Sequence, residues 1–77
     1  MKHYYIGNCR ICNQGMLEIV KEEDSNVLFV ECDECEAEWK NPEDALNKKN
    51  GGRNQYSKSI GTCYDEIKLI KWDKYLI

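Results

Sequence analysis

The chain has 77 residues, five cysteines, 32% charged residues and a net charge of −3. That length allows one domain, with an apolar core too small to be secure without a staple, and no stretch approaches the roughly 18 to 20 apolar residues that cross a bilayer. The odd cysteine count, and an opening stretch MKHYYIGNCRICNQGMLEIV without an uninterrupted apolar segment, argue against a secreted disulfide scaffold and predict an intracellular, cytoplasmic protein.

Tyr4, Tyr5 and Ile6 predict a short strand that leads into the first cysteine pair, NCRIC. Gly15 follows, read as the residue that takes a positive φ in a tight turn beside a metal. MLEIV at 16–20 and VLFVE at 27–31 predict two antiparallel strands joined by the polar turn KEEDSN. The open end of that hairpin brings the first pair against the second, ECDEC. EAEW at 36–39 predicts a third strand with Ala37 and Trp39 on one face and Glu36 and Glu38 on the other.

NPEDALNKKN at 41–50 carries helix punctuation at both ends. Asn41 is the N-cap, Pro42 the first helical residue, Glu43 and Asp44 the acidic first turn, Lys48 and Lys49 the basic last turn, and Asn50, Gly51 and Gly52 the stop. Residues 53–61 read as a connection whose aromatic, Tyr56, packs back onto the hairpin. Thr62 and Asp65 suggest a capping box opening a helix over about 63–71, with Cys63, Ile67 and Ile70 on its inner face. Trp72, Tyr75, Leu76 and Ile77 form an apolar tail that calls for cover. The whole reads as a small α+β domain spanning 1–77: an antiparallel hairpin or three-stranded sheet with two short helices.

Cys9 and Cys12 stand three positions apart, as do Cys32 and Cys35. Thiolates at that spacing can face one ion, and two such pairs complete a closed tetrahedral shell. The expectation is one structural Zn²⁺, with iron the competing metal because four thiolates also suit it. A redox dithiol would need a single pair at a helix start beside a parallel sheet. Cys63 is expected to be a small buried apolar residue, and His3 a terminal histidine with no ligand role.

The knuckle with Cys9, Cys12 and Gly15, the hairpin, and Cys32 and Cys35 followed by Trp39 together resemble the zinc-ribbon superfamily over residues 4–40. The resemblance implies the fold and the structural zinc. It leaves function open, because such ribbons serve transcription factors, ribosomal proteins, enzyme accessory domains and protein adaptors alike. CRIC and CDEC depart from the proline- or lysine- and glycine-containing knuckles common in that superfamily.

A closed four-thiolate shell offers no open position for substrate. No nucleophile with a base, phosphate-cradling loop or histidine–carboxylate constellation is legible, so no catalysis is expected. The acid is concentrated in residues 21–50, which carry ten carboxylates against four lysines. This favours a basic protein partner over nucleic acid. The candidate contacts are Glu22, Glu23, Asp24, Glu31, Asp33, Glu34, Glu36 and Glu38, with Trp39 as an aromatic anchor. In size and charge the chain resembles the immunity proteins that neutralise nuclease toxins in bacterial competition, and that resemblance implies an inhibitor. Two alternatives are kept. One is a nucleic-acid reader using Arg53, Lys58, Lys68, Lys71 and Lys74 interleaved with Tyr56, Trp72 and Tyr75. The other is an RNA-polymerase-associated ribbon with Glu22, Glu23 and Asp24 at its acidic tip.

Overall fold

A computed structural model describes residues 3–77. Its sheet is built from β1 (Tyr5–Asn8), β2 (Met16–Glu22), β3 (Leu28–Cys32), β4 (Glu38–Trp39) and β5 (Ser59–Ile60), all paired antiparallel. The spatial order is β1-β2-β3-β4, and β5 pairs with β2 beyond the end of β1. The predicted hairpin is β2–β3, in register Leu17↔Cys32, Ile19↔Val30 and Lys21↔Leu28. That register places Leu17, Ile19, Val30 and Cys32 in one core with Trp39, Ala45 and Ile67.

Both faces of the sheet are covered, which explains why Ile19 and Val20 are both buried although they are neighbours in the strand. Val20 lies opposite Phe29 on the second face. The ring of Tyr56 stacks on Phe29 at 4.0 Å between centroids and 10° between planes. The connection is therefore a lid on the sheet, and it contributes β5, which its lack of hydrophobic period concealed. At β1 the ladder shifts register between Tyr5 and Gly7, and Gly7 takes φ 139°, a conformation that disfavours side chains.

The third strand is shorter than EAEW predicts. Glu36 adopts φ 62°, so only Glu38 and Trp39 pair with β3. The first helix, α1, spans Pro42–Asn47 with the predicted N-cap: Asn41 Oδ1 accepts from the Asp44 amide at 2.8 Å. It stops before the lysines. Lys48 is the left-handed C-cap at φ 55° and Lys49 lies beyond, so neither sits in a basic last turn. Gly51 and Gly52 do more than end a helix. A Cβ on Gly51 would meet the Trp39 ring nitrogen at 2.5 Å, and Gly52 exchanges backbone hydrogen bonds with Glu38 at 2.7 and 3.0 Å.

The second helix, α2, spans Tyr64–Leu69 and is capped one residue later than predicted. Cys63 is the N-cap and Glu66, not Asp65, returns its carboxylate to the Cys63 amide. Glu66 also accepts from Lys21 Nζ at 3.0 Å and Thr62 Oγ1 at 2.8 Å, three donors that Asp65 does not have. The inner face reduces to Ile67, which is fully buried. Cys63 is exposed and Ile70 is 41% exposed, because the helix is too short to present a second turn to the core. In the tail, Trp72, Tyr75 and Leu76 pack against the core, while Ile77 is 82% exposed and donates its amide to the Tyr5 carbonyl. Among the described residues no helix is long and apolar enough to cross a membrane.

Candidate metal centre

Two turns of similar build face each other at the open end of the β2–β3 hairpin. In the first, the Cys9 amide donates to the Gly15 carbonyl at 2.7 Å. In the second, the Cys32 amide donates to the Ala37 carbonyl at 2.9 Å. The residue after the second cysteine is left-handed in both, Asn13 at φ 55° and Glu36 at φ 62°. This reversal curls each turn so that backbone amides point at sulfur. Ile11 N donates to Cys9 Sγ, Gly15 N to Cys12 Sγ, and both Glu34 N and Cys35 N to Cys32 Sγ, each at 3.4 Å. Donors aimed at sulfur favour the thiolate over the thiol.

The turns are locked together by the sheet register and by Asp33. Asp33 N donates to the Met16 carbonyl at 3.1 Å, and Met16 N donates to Asp33 Oδ1 at 2.8 Å. Arg53, brought back by the connection, donates Nε to the Cys35 carbonyl at 2.9 Å. Gly15 does not take a positive φ. It is required by proximity, since its Cβ would stand within 2.8 Å of Cys32 Sγ, Glu34 Cβ and Asp33 Oδ1.

The four Sγ atoms of Cys9, Cys12, Cys32 and Cys35 lie within 4.8 Å of one another, with Cys9–Cys35 at 3.8 Å and Cys12–Cys32 at 3.6 Å. Four sulfurs about 2.3 Å from one ion at tetrahedral corners are about 3.8 Å apart. A disulfide would need about 2.05 Å. All five cysteines are free thiols, and the four clustered ones fit a single zinc ion held structurally.

The protonation chemistry agrees. Backbone amides of Gln14 and Gly15 hold the Cys12 thiol down at about 6, while burial pushes Cys32 up to about 12. A divalent cation at the centre offsets the penalty of burial and lets all four ionise.

The chain was compared with protein-family models, curated proteins and solved structures, and none matched. The sulfur geometry and the small antiparallel sheet therefore stand on their own as a zinc-ribbon-like site.

The predicted partner-contact residues separate into two groups. Glu23, Asp24, Asp33, Glu34 and Glu36 are exposed. The others are structural. Glu22 accepts from Ser25 Oγ and from the Ser57 amide, which together hold its carboxyl below the usual range. Glu31 is half-buried and accepts from Ser59 Oγ at 2.9 Å. Glu38 is buried, and its carboxylate accepts from the Gln55 amide at 2.8 Å. Trp39 is fully buried beneath Gly51, so it is a core residue and not a surface anchor. Sequence reasoning placed Arg53 on a nucleic-acid face and Asp33 among the partner contacts, and missed that both brace the knuckles, because those contacts are made across the fold.

Proposed function

We propose that this chain is a non-catalytic, zinc-stapled protein-binding module that presents exposed carboxylates to a basic protein partner, acting as an inhibitor of the immunity type. An excess of negative charge at the metal end carries this reading, even counting Arg10 between the first two cysteines and Arg53 on the Cys35 carbonyl. Asp33, Glu34 and Glu36 surround a site that contributes about −2 when four thiolates hold one Zn²⁺. Among the described residues the ion pairs are His3–Glu18 and Lys21–Glu66, and neither touches that end. Unpaired charge of one sign steers encounter with a surface of the other sign and discriminates against like-charged partners.

The nucleic-acid alternative loses one of its aromatic platforms, because a face of Tyr56 is occupied by Phe29. The inhibitor reading is tested by affinity capture of the zinc-loaded protein from its own cells after nuclease treatment. A basic protein released by high salt, and no longer captured by a Glu34→Lys, Glu36→Lys double variant, is the expected result. Loss of all captured protein on nuclease treatment would move the functional face to the C-terminal lysines.

A further inference from the structure

A cavity of about 310 Å³ opens between the start of α1 and the C-terminal segment. Asn41, Pro42, Glu43 and Asp44 line one side, and Trp72 and Tyr75 the other. The Glu43 side chain is exposed and has no hydrogen-bond or ion-pair partner among the described residues. Asp44 is held in place by neutral donors, the amide groups of Asn41 and Asn50 at 3.4 Å each, so its charge has no cation either. Across the cavity, Tyr75 already attracts one cation, with Lys74 Nζ 5.4 Å from its ring centroid.

Two carboxylates without counterions, facing a tryptophan and a tyrosine, select a guest that is cationic and flat. An anion is repelled, and an apolar guest would desolvate the carboxylates with nothing in return. A guanidinium can stack on an aromatic ring while its fork of N–H donors meets a carboxylate, which a compact ammonium does less well. We propose that this cavity receives the guanidinium of an exposed arginine on the protein partner. The proposal rests on the basic-partner reading above and deepens it, but it concerns α1 and the C-terminal segment and not the metal end.

Trp39 is fully buried and Trp72 lines the cavity, so the two indole N–H signals of the zinc-loaded full chain separate core from site. Trp72→Phe assigns them. The titrants are a capped tripeptide with a central arginine, its neutral citrulline counterpart and its lysine counterpart. The arginine peptide is expected to shift the Trp72 signal saturably, with the citrulline peptide about tenfold weaker. Glu43→Gln is expected to lower the arginine affinity about fivefold while zinc content and the Trp39 signal stay unchanged. Equal binding of arginine and citrulline, equal binding of arginine and lysine, or indifference to Glu43→Gln would each overturn the proposal. Absence of arginine-peptide binding while a basic protein is still captured defeats this proposal alone. Peptide binding without any captured basic protein defeats the partner reading instead.

Discussion

A β-carbon on Gly15 would stand 2.6 Å from the Sγ of Cys32, a distance no real Cβ tolerates. Gly15 belongs to the first knuckle and Cys32 to the second, so one missing methyl group sets how closely the two halves of the metal site approach. Gly15→Ala forces the knuckles apart or displaces the sulfur. It should cost about 1–3 kcal/mol, as overpacking of a tight site does, and loosen zinc. A chelator-competition titration beside a thermal melt reads both, and a Gly15→Ala variant that holds zinc as tightly as the parent would remove the steric argument.

The zinc itself is expected to hold the fold. Structural zinc contributes about 10–16 kcal/mol in small domains at neutral pH, whereas a chain of this length has roughly 4–12 kcal/mol of total stability at typical values per residue. Cys32→Ser, or chelation of the parent, should therefore abolish cooperative unfolding seen by circular dichroism, and metal analysis should find one zinc per chain before treatment. A metal-free Cys32→Ser protein that still melts cooperatively would end the structural-zinc claim.

Three glutamates form a row across the sheet, with Glu18 opposite Glu31 and Glu31 opposite Glu38. Burial, then repulsion from Glu18, Glu38 and Glu36, pushes the Glu31 carboxyl up from its ordinary value, although Ser59 opposes the shift. A raised carboxyl pKa means the folded state prefers the proton, so ionised Glu31 detracts from stability at neutral pH. Glu31→Gln keeps an acceptor for Ser59 and removes the repulsion. It should stabilise the fold by about 0.5–1 kcal/mol at pH 7, an advantage that fades as acid protonates Glu31 in the parent. A denaturant midpoint that falls at pH 7 would contradict this.

Glu66 has the opposite sign. The Lys21 ammonium, with Thr62, holds its carboxyl down at about 2. A depressed carboxyl pKa stabilises the fold above the unfolded value near 4.3 and loses that contribution as pH falls through the folded value. Glu66→Gln should thus be less stable than the parent at pH 5 to 7, the gap closing between about pH 4 and pH 2. A gap that is constant with pH would assign the effect to lost helix capping and not to charge.

Ile67 is the buried residue that fastens α2 to the core. Ile67→Ala should cost about 2–4 kcal/mol and free the C-terminal segment to exchange its amides, with zinc retained because no ligand lies beyond Cys35. Hydrogen exchange resolved by residue distinguishes this from global loosening, in which protection in β2 and β3 would fall equally.

The metal ligands, the hairpin between them and the Asn41–Pro42 helix start were determined by the sequence alone. Each is a local matter: thiolates three residues apart curl around one ion, two β-branched runs flanking a polar turn pair as a hairpin, and a side-chain oxygen caps the amide three residues on. What the tertiary structure decided depended on residues far apart in the chain. Tyr56, expected to pack back onto the hairpin, finds Phe29 as its particular partner, β5 joins β2, Gly51 makes room for Trp39, and Arg53 reaches the second knuckle. No local pattern encodes such contacts, because the physical cause is space left or filled by a distant residue. For the same reason Cys63 lay outside the core and Trp39 inside it. Burial in a chain this small is set by which short element happens to reach the sheet, and an apolar side chain by itself carries no instruction about that.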